Sequence, residues 1–410
     1  MYDLLAGLRV IEGSSFVASP LCGLYLTQMG AEVIRFDPIG GGPDFHRWPR
    51  ASEGSGDSLY WEGLNAGKKS IAIDLARPEG RELAQRLITA PDPGAGLFVT
   101  NYPVDGFLSH ERLSALRRDL ITVRIMGQAD GRSALDYTVN CMLGIPQITG
   151  PQSLGEEPVN HVLPAWDLLT GAYAAFGLVS AERQRSLTGR GQELRIPLSD
   201  MGISTVSTLG MIAEVLSGQA NRARYGNEVY GAFGRDFLTA DRQRIMIMAI
   251  TPRHWTGLIE ALELRETVRA IEVAHGVSFA TDEGLRFTHR DQLFPLVEAA
   301  IARRTLESLR TPFEKLGVCW NPYQSMLEAA RDPKLVVDNP VFATLPQKSG
   351  LPYPVSGAPA TIPQAQRSTP RRAPHLGEHT DEILATVLGL SDGEIARLHD
   401  AALVETSSAV

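Results

Sequence analysis

One continuous run, residues 161–192, constrains the fold of this chain more than any other stretch. It opens with a short segment containing Pro164 and Trp166 and continues with apolar side chains at helical spacing. Small residues are interspersed among them, and the glycines Gly189 and Gly191 follow a charged segment at 182–185. The pattern predicts a long helix that packs closely against a neighbour and ends near Gly189.

Asp167 stands directly before the periodic part of this run, where the N-cap of a helix belongs. A carboxylate at an N-cap accepts backbone N–H bonds and lies at the positive end of the helix dipole. We therefore expect Asp167 to be ionised and to point outward. Asp is also a common simple cap, so its position alone favours a structural role over a functional one.

Two motifs flank the predicted helix. D-x-x-x-G-x-x-A-A begins at Asp167 and includes Gly171, and T-G-x-G-Q, from Thr188 to Gln192, leads into the next strand. In this order they resemble the family III CoA-transferases, the CaiB/BaiF group. The resemblance implies that Asp167 is a nucleophile acylated by a CoA thioester, and it extends over most of the chain.

Composition excludes several other classes. The chain has 410 residues, 43% hydrophobic and 21% charged, with a formal net charge of −8. Such a charge disfavours nucleic acid and anionic membranes as partners. Three scattered cysteines and histidines without ligand spacing predict no metal site and no permanent cofactor. The N-terminus lacks a signal peptide pattern, so we expect a cytoplasmic protein.

The first segment predicts a strand, a helix and a second strand that ends at Asp37. This βαβ unit suggests dinucleotide binding, but the turn at 13–20 holds a single glycine where a pyrophosphate site needs several. NAD binding is therefore disfavoured. By resemblance, Val17 and Ala18 in this turn contact the pantetheine arm of CoA.

The resemblance also implies further CoA contacts. Lys68 is expected near the CoA phosphates, although two solvated lysines before a strand explain the same residues equally well. The strand backbone is expected to receive the adenine, and a later strand end to border the thioester. The residues assigned to these roles are Ala72, Ile73, Asp74, Leu75, Asn101 and Tyr102.

Residues 133–140 match the segment where the racemase branch of this superfamily carries an acid/base histidine. The matching residue here is Leu135, which has no proton to give. Racemisation requires an acid and a base on opposite faces of the substrate, so a 2-methylacyl-CoA racemase is disfavoured. Asp136 and Tyr137, which follow, are expected to contact CoA or the backbone.

A glycine-rich segment at 226–237 resembles the family's lid over the nucleophile. Gly231 and Gly234 would let it close, and Arg235 together with His161 would hold a second substrate carboxylate. The alternatives are a tight turn that enters a hairpin, and a surface ion pair for Arg235.

Together these features predict an α/β fold. A large CoA-binding domain, 1–200 and 353–410, is expected to contain an open, mainly parallel, Rossmann-like sheet. A smaller α+β domain is expected at 226–332, joined by linkers at 201–225 and 333–352. The family resemblance implies an interlocked-ring homodimer.

The predicted function is CoA transfer between carboxylates through an aspartyl-acyl mixed anhydride. Local strings such as "YGAFGRDF" resemble the branch that moves CoA between the two carboxyls of mesaconyl-CoA. Acyl-CoA and carboxylates would then be the substrates. The remaining alternatives are transfer between two different acids, racemisation, and a non-catalytic CoA-binding module.

Overall fold

The structure is a computed structural model that describes residues 1–52 and 56–407. Within these ranges the chain divides into two compact units. The first contains Met1–Leu143, His161–Glu214 and the chain from Arg331 onward. The second contains Gly144–Asn160 and Val215–Ala330.

In chain order the strands are β1 (Arg9–Gly13), β2 (Glu32–Pro38), β3 (Lys69–Ile73), β4 (Leu97–Thr100), β5 (Ile121–Met126), β6 (Gln192–Pro197), β7 (Phe233–Leu238), β8 (Arg244–Ala249), β9 (Cys319–Pro322), β10 (Phe342–Pro346), β11 (Pro352–Ser356) and β12 (Val404–Glu405). The helices are α1 (Ala18–Gln28), α2 (Leu59–Asn65), α3 (Pro78–Ile88), α4 (His110–Leu116), α5 (Asp136–Met142), α6 (Ile145–Ile148), α7 (Ala165–Thr188), α8 (Leu198–Thr208), α9 (Met211–Gly218), α10 (Pro252–Ala261), α11 (Arg265–His275), α12 (Glu283–Thr288), α13 (Arg290–Ile301), α14 (Leu306–Leu316), α15 (Met326–Arg331), α16 (Thr380–Thr386) and α17 (Asp392–Asp400).

The first unit contains a seven-stranded sheet in the order β12-β3-β2-β1-β4-β5-β6. Every neighbouring pair is parallel except β12 with β3, which is antiparallel. The predicted α/β fold with a mainly parallel sheet is therefore confirmed. The strands are apolar because helices cover both faces of such a sheet.

Charged residues interrupt these strands, and three buried ones lie on β1 and β2. Glu12 on β1 lies opposite Arg35 on β2 in the parallel register, and Asp37 follows two residues later. All three are at most 1% exposed. Charges buried in this way are stable only when they are paired, so the sheet must contain an internal ion network.

The direction of the chain through the sheet changes between β1 and β4. Strands β1, β2 and β3 follow each other to one side, and β4, β5 and β6 to the other. In open α/β sheets, ligands bind in the crevice outside the carboxyl ends of the strands at such a switch point. A ligand site is therefore expected at the loops that follow β1 and β4.

The second unit is built on a three-stranded antiparallel sheet in the order β7-β8-β9. Helices α10 to α14 belong to this unit. Its core is rich in aromatic side chains, among them Phe233, Phe237, Trp255 and Phe294. Edge-to-face and tilted ring contacts, such as Phe233 with Trp255 at 5.3 Å between centroids, supply its packing.

The structure differs from the sequence expectation at three places. Residues 144–160, expected in the large domain, group with the second unit because the Arg224 guanidinium donates to the carbonyls of Thr149 and Glu157. The expected linker 201–225 is largely helical, since α8 and α9 occupy most of it. Strand β10, in the other expected linker, pairs with β11 in a two-stranded sheet.

None of the helices in the described residues is by itself long and apolar enough to cross a bilayer. Taken together, the successive helices α8 and α9 reach the length and apolar composition of a span, with a bend of 67° between them.

Candidate active site

A cavity of about 480 Å³ opens at the carboxyl ends of β1, β4 and β5. It lies at the switch point of the sheet, where the fold favours ligand binding. Five residues that sequence analysis assigned to the site line it: Val17, Ala18, Asn101, Tyr102 and Asp167. Leu135, the residue in place of the racemase histidine, also lines it.

The loop between β1 and α1 forms one wall of this cavity. Gly13 is required here because a Cβ at its position would lie 2.2 Å from the Phe36 ring. Phe16 adopts a left-handed backbone conformation with φ of 68°, which is uncommon for a bulky residue. Such a conformation persists only where surrounding contacts hold it, and it is frequent at ligand sites.

Asn101 holds this loop in place. The Ser15 N–H donates to Asn101 Oδ1 at 3.0 Å, and Asn101 Nδ2 donates to the Ser15 carbonyl at 2.7 Å. Both bonds join the end of β4 to the turn after β1. The side chain of Asn101 is thus engaged by backbone.

Helix α7 brings Asp167 to the cavity by packing closely on α1. A Cβ on Gly171 would lie 2.7 Å from the Ala18 carbonyl oxygen and 3.0 Å from Leu21. A larger residue would push the two helices apart. The small residues predicted to permit close packing therefore place the first turn of α7 beside the start of α1.

The predicted N-cap role of Asp167 is wrong. Helix α7 begins at Ala165, after Pro164, and Asp167 lies inside the first turn. The cap comes from Asp136, whose Oδ2 accepts the N–H groups of Trp166 at 2.7 Å and Asp167 at 3.1 Å. Asp136 therefore satisfies the helix end from a different element, and the Asp167 carboxylate is left available.

Within the described ranges, no group donates a hydrogen bond to the Asp167 carboxylate and no cation lies within 4.0 Å of it. Burial raises the pKa of Asp167 to about 7, the Asp136 charge adds to the rise, and the Arg47 charge opposes it. The expectation of a fully ionised, N–H-bonded carboxylate is thus wrong. Asp167 is poised between its two protonation states near neutral pH.

The other predicted residues around α7 contact Asp136 or the segment that precedes the helix. His161 Nε2 lies 3.1 Å from Asp136 Oδ1, on the oxygen that does not cap the helix. Tyr137 donates its hydroxyl to the Val162 carbonyl at 3.0 Å and contacts the His161 ring edge to face. These contacts fix the segment that leads into α7.

Lys68 is not available to a CoA phosphate. It is 3% exposed, and its Nζ lies 2.8 Å from Glu12 Oε2 and donates to the Pro20 carbonyl at 2.8 Å and to Asn65 at 3.0 Å. Burial lowers the pKa of Lys68, and the Glu12 charge opposes this. Neither of the two earlier readings, a phosphate contact or a solvated surface lysine, applies to it.

Lys68 belongs to a network that we call the buried ion cluster: Glu12, Arg35, Asp37, Asp44 and Lys68. Arg35 donates to Asp37 in a two-pronged contact at 2.8 Å and to Asp44 at 3.1 Å. Each member is at most 3% exposed. The cluster was not predicted from sequence, although charges within apolar strands were a signal of it.

The predicted adenine segment lies in and after β3, away from the residues that line the cavity. Ala72 and Ile73 pair with the C-terminal strand β12, and the Asp74 N–H donates to the Leu403 carbonyl at 2.9 Å. Leu75 packs on the sheet core. Much of this backbone is therefore already hydrogen-bonded, and its role toward adenine stays a prediction.

The predicted lid residues belong to the second unit. Gly231 has a left-handed φ of 79°, Gly234 lies in β7, and Arg235 pairs with Ile247 across the β7–β8 hairpin. Arg235 lies over the rings of Phe237 and Phe294 and 3.8 Å from Glu298. The segment has the geometry of a turn entering a hairpin, and its role as a lid stays a prediction.

Two residues beside Asp167 were not identified from sequence. Arg47 lies in the loop before α2, and Tyr60 lies on α2. Burial raises the pKa of Tyr60 to about 12, with Asp167 and Asp44 adding to the rise and Arg47 opposing it.

In the described part of the chain, no group of three or more His, Cys, Asp or Glu residues has metal-binding geometry.

Comparison with known proteins gives a consistent result. The family model for CoA-transferase family III matches residues 5–380. The chain is 49% identical over 405 residues, 98% of both chains, to the 2-methylfumaryl-CoA isomerase of Chloroflexus aurantiacus. It is 28% identical, over 96% of both chains, to the succinyl-CoA–D-citramalate CoA-transferase of the same organism. Its fold resembles that of a CAIB/BAIF family protein from Brucella suis, with a TM-score of 0.75, 24% identity, and coverage of 94% of this chain and all of the other.

Proposed function

The chain belongs to the family III CoA-transferases, and from this premise we propose that it moves CoA between the two carboxyl groups of 2-methylfumarate. The family predicted from sequence is thereby confirmed. The intramolecular reaction follows the name of the relative with 49% identity. The observation that carries the proposal is the Asp167 carboxylate, which lies in the cavity with no cation within 4.0 Å in the described ranges.

The first chemical step forms an anhydride. An ionised Asp167 oxygen attacks the thioester carbonyl carbon, the C–S bond breaks, and CoA leaves as a thiolate. The product is a mixed anhydride between Asp167 and the acyl group. Because an acyl carboxylate is a competent leaving group, the free energy of the thioester is retained in the anhydride.

The remaining steps return CoA to the other end of the acid. The thiolate attacks the Asp167 carbonyl carbon and releases the dicarboxylate, which leaves an aspartyl thioester. The second carboxylate of the same acid attacks that thioester, and a new anhydride forms as the thiolate departs. A last attack by the thiolate on the acyl carbonyl restores Asp167 and gives the isomeric thioester.

Helix α1 supports the negative charge that develops in these steps. Its first residue, Ala18, lines the cavity, and its first turn contains no acidic residue. The positive end of the helix dipole therefore faces the reacting carbonyl, where an oxyanion is stabilised. Among the CoA contacts, Val17 and Tyr102 on the cavity wall are proposed to face the pantetheine arm and the thioester.

We further propose a cytoplasmic homodimer, with acyl-CoA as substrate and no bound cofactor. Helix α7 exposes a row of large apolar side chains that a second subunit would cover: Leu169, Tyr173, Phe176 and Leu187, between 39% and 71% exposed. Contiguous apolar surface of this kind is typical of interfaces. The interlocked arrangement rests on the family resemblance.

Feeding one purified isomer of 2-methylfumaryl-CoA to the enzyme tests the proposal. Without added acid, the second isomer should appear, and labelled free 2-methylfumarate or succinate should not enter the product. Label in the product would instead support transfer between different acids, which the 28% identical CoA-transferase makes the second candidate. If the enzyme neither isomerises the thioester nor transfers CoA to added 2-methylfumarate or succinate, both candidate reactions are excluded. Exchange of an α-proton in heavy water would indicate a racemase, which Leu135 disfavours.

A further inference from the structure

An arginine next to the proposed nucleophile has no acidic partner among the residues that the structure describes. The Arg47 guanidinium carbon lies 5.7 Å from the centroid of the Phe16 ring and 5.3 Å from that of Tyr60. Phe16 lines the cavity together with Asp167. In the described ranges 1–52 and 56–407, no carboxylate lies within 4.0 Å of the Arg47 side chain. Its charge nevertheless acts on Asp167 and opposes the rise in that carboxyl's pKa.

The backbone of Arg47 is held by the buried ion cluster. Asp44, which pairs with Arg35 at 3.1 Å, is 1% exposed. The Arg47 N–H donates to the Asp44 carbonyl at 3.2 Å, and Ser58 Oγ donates to the Arg47 carbonyl at 2.6 Å. The loop that carries Arg47 is thus tied on both sides to buried groups. A side chain placed in this way is pre-organised for a ligand.

An arginine on the cavity wall provides a contrast. Arg132 lines the cavity, whereas Arg47 lies behind the Phe16 ring that lines it. The Arg132 Nε donates to Asp130 at 2.7 Å, and its side chain is 72% exposed. Its charge is therefore partly neutralised and screened by solvent. Arg47, stacked between two rings and without an acidic partner, is the better site for a substrate anion.

We propose that Arg47, with Phe16 and Tyr60 as its walls, is the subsite for the remote carboxylate of a dicarboxylic acyl-CoA. This deepens the proposed function and rests on it. In each thioester isomer one carboxylate remains free, and a guanidinium recognises it through paired, charge-assisted hydrogen bonds. The same contact retains the free dicarboxylate while CoA is attached to Asp167, which favours transfer to the same acid over exchange with another.

Binding experiments on the full-length Asp167→Asn protein test the proposal without turnover. Calorimetry would compare 2-methylfumaryl-CoA with 2-methylbut-2-enoyl-CoA, in which a methyl group replaces the remote carboxylate. Adding Arg47→Met should weaken binding of the first thioester about 10- to 100-fold. The second should change by no more than about twofold, because the lost contact never involved it. Arg47→Lys keeps the charge without the paired donors, so its affinity for 2-methylfumaryl-CoA should lie between those of the proteins with Arg47 unchanged and with Arg47→Met.

The matched control is Arg50→Met, which removes an exposed arginine of the same loop whose Nε donates to the Gly56 carbonyl at 2.7 Å. It should leave the ratio of the two dissociation constants unchanged. Equal weakening of both thioesters by Arg47→Met, or no weakening of either, would overturn the subsite. The subsite would also be overturned if Arg132→Met abolished the preference for 2-methylfumaryl-CoA over 2-methylbut-2-enoyl-CoA and Arg47→Met left it intact. Failure of the Asp167→Asn protein to bind either thioester would count against the proposed function.

Discussion

Two regions of the first unit bury carboxylates but hold them differently. In the buried ion cluster, Glu12 lies 2.8 Å from Lys68, and Asp37 and Asp44 lie 2.8 Å and 3.1 Å from Arg35. At the start of α7, Asp136 is satisfied by backbone N–H groups and by His161, whereas Asp167 has no hydrogen-bonded donor in the described residues. Asp167 lines the cavity together with the loop between β1 and α1, and Ser14 of that loop donates to Glu12 at 2.8 Å.

The paired carboxylates have a structural role, and the unpaired carboxylate has a chemical one. A paired buried carboxylate keeps its charge and holds elements together, because removal of either partner leaves an isolated charge in a low-dielectric interior. An unpaired, partly buried carboxylate is destabilising when ionised, and proteins tolerate it mainly where it reacts. Four predictions can break or sharpen this comparison.

The largest effect is expected at the unpaired carboxylate. Asp167→Asn removes the nucleophile and should lower kcat for isomerisation about 10⁴-fold or more, as seen when a covalent catalyst loses its nucleophile. Steady-state kinetics measures this, and circular dichroism should show an unchanged fold. A variant that retained a tenth or more of the wild-type rate would break the comparison.

The next effect is expected in the buried ion cluster. Lys68→Met leaves Glu12 without its ammonium partner and should lower the free energy of unfolding by about 3–5 kcal/mol. Lys69→Met is the matched control, since Lys69 forms its pairs with Glu32 and Glu382 at a side-chain exposure of 31%. It should cost no more than about 1 kcal/mol. Urea unfolding measures both, and equal costs would remove the distinction between the two lysines.

A smaller effect concerns stability at Asp167. Its pKa is raised in the folded state from 3.8 to about 7, so the folded state binds more protons, and this contribution to stability is lost as pH rises between those values. At pH 8 the free energy of unfolding of the Asp167→Asn protein should therefore exceed that of wild type by about 1–3 kcal/mol. Below about pH 4 the gain should vanish, because the wild-type carboxyl is then protonated in both states. A gain that is independent of pH would contradict the account.

The smallest effect is a shift in the pH dependence. Wild-type kcat/KM should rise with pH through about 7 as Asp167 ionises. Asp136→Asn keeps an oxygen that can accept the helix N–H groups but removes the neighbouring charge, so the rise should move about one pH unit lower. Arg47→Met should move it the other way. An unchanged profile in both variants would show that these charges do not act on the catalytic group.

The sheet and the long helix were predictable because local patterns determine them. Buried parallel strands read as apolar runs, and Gly189 and the T-G-x-G-Q turn mark the end of α7. Gly171 indicated the close approach to α1. The family followed from the same residues.

The rest depends on tertiary contacts that no local pattern contains. The cap of α7 comes from Asp136, so the sequence around Asp167 could not reveal the true helix start. Lys68 and Lys69 are adjacent in sequence, and the buried one is the lysine that contacts Glu12, 56 residues away, as well as Asn65 and the Pro20 carbonyl. Arg47 lies in a loop rich in Gly and Pro, a composition that does not indicate which side chains approach Asp167.

The central claim is that Asp167 becomes covalently acylated, and trapping tests it most directly. Hydroxylamine or borohydride added during turnover of 2-methylfumaryl-CoA should convert the aspartyl intermediate to a stable derivative that mass spectrometry can locate. The account predicts modification at Asp167 that requires substrate and is absent from Asp167→Asn. Active turnover with Asp167 unmodified, or with the modification on Asp136 instead, would contradict it.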